Sequence, residues 1–307
     1  MAGTLGRFNV SSLCKPFPLK KLTFTKRCYR QYLSFFQHKV EQHGVEKVVQ
    51  QYFCSSPLLT SIGSQLQPIV HMAFGLEYDM PEVVVQGLAY LATSFVNVES
   101  LLEEGDAYSD NSSILFDMVA ADPRFAGRMD GTNTFHSAVK VLIKSQQSLL
   151  GMYMRMVKSR LQDLVILAAE LIPCTQQAHR LDWFLGGGQL LASALAIHFL
   201  VQQPYVDEVA AKKLVQLQFL ATMSTFVVQG RPSRPPNHQK LCNNWDSCAA
   251  AIVASADPKS ILIMQSLSKA QQYFGDEEDR FLEIANFIAG FVQADGAWCK
   301  TDERSVR

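Results

Sequence analysis

An all-α fold, a single large multi-helix bundle, is what this sequence predicts, and three observations carry that expectation. Apolar residues recur at three- and four-residue spacing in nearly every long segment. No stretch alternates apolar and polar residues between hairpin turns. Residues suited to helix starts and stops stand at the ends of the periodic runs.

In order, "CYRQYLSFFQHKVEQHG" places Tyr29, Tyr32, Leu33, Phe36 and Val40 on one face, and Gly44 ends it. "VEKVVQQYF" predicts a short second helix stopping before Pro57. "SQLQPIVHMAFGLEYDM" is an apolar helical run with a break at Gly75, and "MPEVVVQGLAYLATSF" opens on Pro81, suited to a first turn. "SSILFDMVAAD" is short and helical, with "DPRF" a turn after it. His136 to Val157 and Gln162 to Leu171 are helical, as is "VDEVAAKKLVQLQFLATMSTFVV" up to Gly230. "RPSRPPNH" is the one plain proline-rich loop. "NNWDSCAAAIVAS", "DPKSILIMQSLSKAQQYFG" and "DEEDRFLEIANFIAGFV" complete the bundle. In the middle one, Asp257 caps, Pro258 opens and Gly275 closes. Residues 28–307 thus form one helical domain, behind a poorly ordered basic arm at 1–27.

Composition excludes several classes of function. Lys+Arg and Asp+Glu are equal at 28 each, so no global field attracts nucleic acid or an anionic membrane. The seven cysteines form no CxxC pair, which removes a zinc knuckle or thioredoxin-like motif. Their scatter predicts free thiols in a reducing, cytoplasmic setting. The arm is acid-free up to Glu41, which keeps a mitochondrial address as the alternative. Trp183 to Val206 carries no formal charge and is long enough to span a bilayer, but it holds three glycines, glutamines and His198. A buried central helix accounts for it better, and no membrane span is expected.

"GGGQ" lacks the lysine of a phosphate-binding loop, and GxGxxG, HExxH and GxSxG are absent. Gly186-Gly187-Gly188 reads instead as close helix packing or a helix break. His38 and His43 lie five apart and read as solvated, and His198 as a hydrogen-bonded core residue. His71 differs through its company: Gln67 sits one turn before it on the same face, and Glu77 is placed to accept its ring proton. On chemistry alone a satisfied core histidine competes with a functional one.

The stretch "QPIVHMAFGLEYDMPEVVVQGLAYLA" resembles the questin oxidase-like family, whose motif runs Phe-His-Pro-Leu-Ile-His-Leu-Gly-Tyr-Gly-Leu-Glu. "YRQYLSFFQHKVEQHGVEKVVQQY" is similar to the family's preceding helix. "LDWFLGGGQLLASALAI" resembles its Asp-Phe-Phe-Leu-Met-His segment. "NNWDSCAAAIVASADPKSILIMQSLSKAQQYFG" resembles its Trp-then-Asp-Pro-His-x-x-Lys segment. The resemblance implies an all-helical oxygenase acting on aromatic, polyketide-like substrates by Baeyer–Villiger-like or ring-opening oxidation. It further implies non-haem iron held by the family's histidines, with NADPH as a possible co-substrate.

Carried across, the family's first motif histidine is Gln67 and the second is His71. The next aligns with Gln189, the histidine of Asp-Pro-His with Lys259, and the following lysine with Leu262. The family's opening Asn-His-x-x-His region is absent, so a truncated gene model of an active parent is one reading of the start. His71 is the catalytic candidate, with Gln67, Glu77, Trp183, Gln189 and Lys259 as the pocket. No metal site is expected, since one histidine cannot hold a metal by itself. The two function readings are a questin oxidase-like oxidoreductase with a degenerate metal site, and an inactive helical binding or scaffold protein of the same fold. An apolar aromatic small molecule is the expected partner of either.

Overall fold

The computed structural model describes residues 28–102, 112–125, 134–156, 158, 160–175, 180–182, 184–233, 244–275 and 279–299. The 1–27 arm and Trp183 lie outside them. Thirteen α-helices stand among the described residues, joined by short single-turn helices, with one parallel pair of three-residue strands, so the all-α expectation holds.

The first layer is α1 (Tyr29–His43), α2 (Val45–Val49), α3 (Gln67–Glu77) and α4 (Pro81–Thr93). Gly44, at φ 81°, closes α1 as its side-chain-free backbone allows. Tyr32 and Phe36 bury the predicted stripe. α2 does not stop cleanly but runs on as one wide turn, Gln50–Cys54. α3 and α4 form a tight hairpin turning at Tyr78–Met80, where Met80 N–H donates to the Gly75 carbonyl at 2.7 Å. Gly75 is no break: α3 continues through it to Glu77. A Cβ at Gly75 would lie 2.7 Å from the Val84 backbone nitrogen, and one at Gly87 would lie 2.8 Å from that of Met72. These two glycines let the helices approach backbone to backbone.

The centre is α10 (Glu208–Val228), capped by Asp207 and buried on every side from Leu217 to Val228. It packs against α5 (Ser112–Ala121), α6 (Phe135–Ser145), α7 (Gln147–Met156), α8 (Leu161–Glu170) and α9 (Gln189–Val201). The run expected as one helix from His136 to Val157 is broken at Gln146. The uncharged run from Trp183 also shortens. Gly188 adopts φ 72° and helix begins only at Gln189, so α9 has 13 residues. Among the described residues no helix is long and apolar enough to cross a membrane.

The last layer is α11 (Trp245–Ala254), α12 (Pro258–Phe274) and α13 (Arg280–Gln293). Asp257 caps α12, Pro258 opens it and Gly275 closes it, as the sequence predicts. Strand β1 (Arg180–Asp182) pairs in parallel with β2 (Ala297–Cys299), setting Asp182 opposite Cys299. One hydrophobic cluster runs through all layers from Tyr32 to Phe291. Five cysteines fall among the described residues, three of them buried, and no disulfide joins them.

One polar knot sits in this apolar interior. Asp122, at the end of α5, accepts from the Tyr153 hydroxyl at 2.7 Å and from the Arg124 guanidinium at 2.7–3.0 Å. Arg231, beyond α10, donates to the carbonyls of Ala120 and Asp122 at 3.1 and 2.6 Å. The bonds from Arg124 hold the Asp122 carboxyl well below the usual carboxylate range. A depressed folded pKa adds stability above the unfolded value near 4, and that stability is lost as pH falls toward the folded value. Asp122→Ala should therefore cost about 1–3 kcal/mol at pH 7, because Tyr153 loses its buried acceptor. The deficit should shrink below about pH 4, where the parent loses the same term. Urea melts of both chains across pH 3–7 check this, and a pH-independent difference would refute it.

Candidate functional site

The site begins in a strained turn. Ser64, Gln65 and Leu66 adopt φ 50°, 49° and 63°, three successive non-glycine residues in the left-handed region. Each such residue costs about 1–3 kcal/mol and persists only where its surroundings over-determine it. Leu66 is fully buried. The Gln65 amide donates to Thr225 Oγ1 at 2.7 Å and Ser224 Oγ at 3.2 Å, both on α10. From α9, the Gln189 amide donates to the Gln65 carbonyl at 2.9 Å and the Ser64 carbonyl at 3.3 Å. Those bonds fix where α3 starts and how it is rotated.

The rotation decides which face of α3 is uncovered. Gln67, His71, Phe74 and Tyr78 fall at i, i+4, i+7 and i+11, and none is buried. Phe74 and Tyr78 are each 47% exposed, with ring centroids 4.6 Å apart. The His71 ring meets Tyr90 of α4 edge to face at 6.1 Å. Its Nδ1 lies 3.0 Å from the backbone carbonyl of Gln67. A carbonyl can only accept, so Nδ1 carries the proton and donates. The neutral ring then keeps its lone pair on Nε2, which has no hydrogen-bond partner among the described residues.

Gln189 lies beside the turn that leads into Gln67, and Lys259 stands in the first turn of α12, which packs against α9. Gly188 packs against Ile263 of α12, and His198, ten residues on, meets Tyr273 and Phe274, ten or so beyond Ile263. So α9 and α12 run in the same direction. α3 runs with them, from Gln189 at its start to Lys269 at its end. The three positions occupy the first turns of three neighbouring, parallel helices.

Several expected details come out differently. His71 is half-buried, on an uncovered stripe of α3. Gln67 serves it through its backbone, and no bond from the Gln67 side chain appears among the described residues. Glu77 does not accept the His71 proton, because both its oxygens bond Lys269 Nζ at 2.7 and 2.9 Å. His198 is partly buried, hydrogen-bonded to Gln202 as expected, and burial lowers its pKa. Trp183 lies outside the described residues. The functional-looking residues that sequence reasoning missed are Gln65, Tyr90, Phe74, Tyr78 and Trp298. The first lay two residues from Gln67, and the i+7 and i+11 positions from Gln67 are Phe74 and Tyr78.

Iron does not fit this donor set. Among the described residues no group of three or more His, Cys, Asp or Glu side chains is placed to hold a metal. The amide of Gln189 is turned as a donor, and Lys259 is an ammonium. Purified protein is expected to carry no stoichiometric iron by elemental mass spectrometry against a matched blank. Near-unit iron, lost on His71→Ala, would overturn that.

The described residues form an all-helical protein that presents an oriented imidazole beside Tyr90, and comparison with known proteins gives its family. A family profile described as questin oxidase-like matches residues 17–277, starting inside the basic arm. The chain belongs to the questin oxidase-like family. It is 24% identical over 261 residues to a Baeyer-Villiger oxidase of Pestalotiopsis microspora, covering 73% of this chain and 58% of that one. A questin oxidase of Aspergillus terreus is 24% identical over 214 residues, covering 61% of this chain and 47% of the relative. A questin oxidase of Aspergillus fumigatus is 23% identical, over 74% and 57% respectively. The chain therefore spans about half the length of the curated relatives it matches.

Proposed function

We propose that this chain is an oxygenase-type oxidoreductase acting on a flat aromatic, polyketide-like ketone or phenol, with His71 as its general base. The observation that carries the reading is the His71 tautomer: Nδ1 is tied to the Gln67 carbonyl, and the ring meets Tyr90 on the stripe of α3 that also carries Phe74 and Tyr78. A base so oriented can take a phenolic or α-carbon proton and leave an electron-rich carbon for oxygen to attack. The aromatic edges around it suit a planar ring system. Relatives named as Baeyer-Villiger and questin oxidases support the reaction class.

A second reading is a non-catalytic binding protein of the same fold. It is favoured by Gln67, Gln189 and Lys259, which stand where the family resemblance expects imidazoles. One experiment separates the two. The protein is incubated with NADPH, oxygen and a panel of hydroxyanthraquinones, while oxygen uptake, product mass and tryptophan fluorescence are followed. Oxygen uptake with a product one oxygen heavier supports the oxidoreductase. Saturable fluorescence quenching without uptake supports the binding protein.

A further inference from the structure

Between α9 and α3 one side chain acts only on backbone. The Gln189 amide donates to the carbonyls of Gln65 and Ser64 at 2.9 and 3.3 Å. Both belong to the left-handed turn, where φ is 50° at Ser64, 49° at Gln65 and 63° at Leu66. Such backbone relaxes toward right-handed values unless its surroundings hold it. Two anchors do so here. The Gln65 side chain, 2% exposed, ties the turn to α10 through Thr225, Ser224 and the Ala221 carbonyl. Gln189 ties the turn's own carbonyls to α9, and among the described residues no other side chain donates to them.

The peptides that follow are the ones His71 depends on. The Gln67 N–H donates to the Ser64 carbonyl, so it shares an acceptor with the Gln189 amide. The Gln67 carbonyl takes the His71 Nδ1 proton at 3.0 Å. From Pro68 onward α3 is braced from another side. A Cβ on Gly87 would lie 3.0 Å from the Pro68 carbonyl oxygen and 2.8 Å from the Met72 nitrogen, so α4 holds that part of the helix. Gln67 is left as the joint between the braced helix and the strained turn.

We propose that Gln189 is a positioning residue for His71, holding the turn so that the Gln67 carbonyl stays where the imidazole proton needs it. Without that amide the turn relaxes, the first turn of α3 frays at Gln67, and Nδ1 loses its acceptor while the rest of the hairpin stands. The ring then samples both tautomers, and Nε2 is no longer kept as the bare nitrogen. Gln189 in this role touches neither metal nor substrate. The inference rests on reading His71 as the base, but its test does not use the reaction.

The test is nitrogen-15 NMR of the full chain with labelled histidine rings, the His71 signals being assigned by their loss in His71→Gln. At pH 8, where an ordinary imidazole is neutral, the parent should show one His71 tautomer, Nδ1 protonated and Nε2 bare. Gln189→Leu should keep the helical circular dichroism spectrum while the two His71 nitrogen shifts move toward each other, the mark of exchange between tautomers. Ser64→Gly added to Gln189→Leu should restore the separate shifts, because glycine takes the left-handed region without strain. Should the leucine variant fail to fold, Gln189→Asn, one methylene shorter, withdraws the amide and reads the same signal. Shifts in the folded variant that match the parent overturn the proposal. So does averaging that Ser64→Gly leaves unchanged, since that marks a general loss of packing. No oxygen, NADPH or substrate is present, so these outcomes are distinguishable from a failure of the oxidation reading, which turnover alone reports.

Discussion

Replacing His71 with glutamine is expected to lower turnover of an oxidisable aromatic substrate by about 10²–10⁴-fold, the usual worth of a positioned general base. Glutamine retains bulk and hydrogen bonding on the same stripe of α3 but offers no basic lone pair. The loss should fall on kcat, with ligand binding by fluorescence little changed, because Phe74, Tyr78 and Tyr90 remain. Gln67→Leu should cost much less, since the Gln67 backbone carbonyl, not its amide, orients the ring. A His71→Gln chain that turns over like the parent would remove His71 from the chemistry. A Gln67→Leu loss as large as that of His71→Gln would show instead that the amide itself takes part.

The second large effect concerns the α3–α4 hairpin. Gly87→Ala is expected to lower the thermal midpoint by roughly 4–8 °C. A Cβ there would sit 2.8 Å from the Met72 nitrogen and 3.0 Å from the Pro68 carbonyl oxygen. Both are backbone atoms of a packed helix and cannot swing aside, so the cost is about 3 kcal/mol. Alanine's better helix propensity returns about 1 kcal/mol. The balance of about 2 kcal/mol gives the shift for a chain of this size. Gly87→Val should be worse, because it adds further atoms to the same collision and forgoes most of that propensity gain. Thermal scans at 222 nm read both, and a Gly87→Ala midpoint within 2 °C of the parent would refute the close approach. The same hairpin carries His71, so stability and chemistry are coupled there. The thermal midpoint reports the first and kcat, taken well below that midpoint, reports the second.

Much of the architecture was legible because helix starts and stops are local events. Asp257, Pro258 and Gly275, or Gly44 after α1, act within a few residues of themselves. Glycines inside helices were not legible in that way. Gly75 reads as a break from its own neighbours, and only the approach of α4 reveals that it makes room for Val84. The uncharged run from Trp183 overstated α9, since periodicity does not register that Gly188 takes a left-handed turn. At the site, motif resemblance grouped Gln67, His71, Gln189 and Lys259, and Gln67, Gln189 and Lys259 each stand in the first turn of one of the parallel helices α3, α9 and α12. The partner of Glu77 was out of reach, since Lys269 is 192 residues away. So was the neighbourhood of Lys259, because Trp298 arrives through a strand pair of only three residues a side, too short to leave a pattern.

That strand pair also sets a timetable for synthesis. The Cys299 thiol bonds the Leu181 carbonyl across 118 residues of chain. At ribosomal rates of about 5–20 residues per second, β1 waits roughly 6–24 s for its partner to be translated. During that interval its backbone groups are open to water or a chaperone. The setting of His71 needs α9 and α10 as well as its own hairpin, and all of these are translated before β2. A nascent chain halted at residue 290 would therefore hold an oriented imidazole while Lys259 still lacked its indole. The contact between Lys259 and Trp298 is thus among the last that synthesis allows.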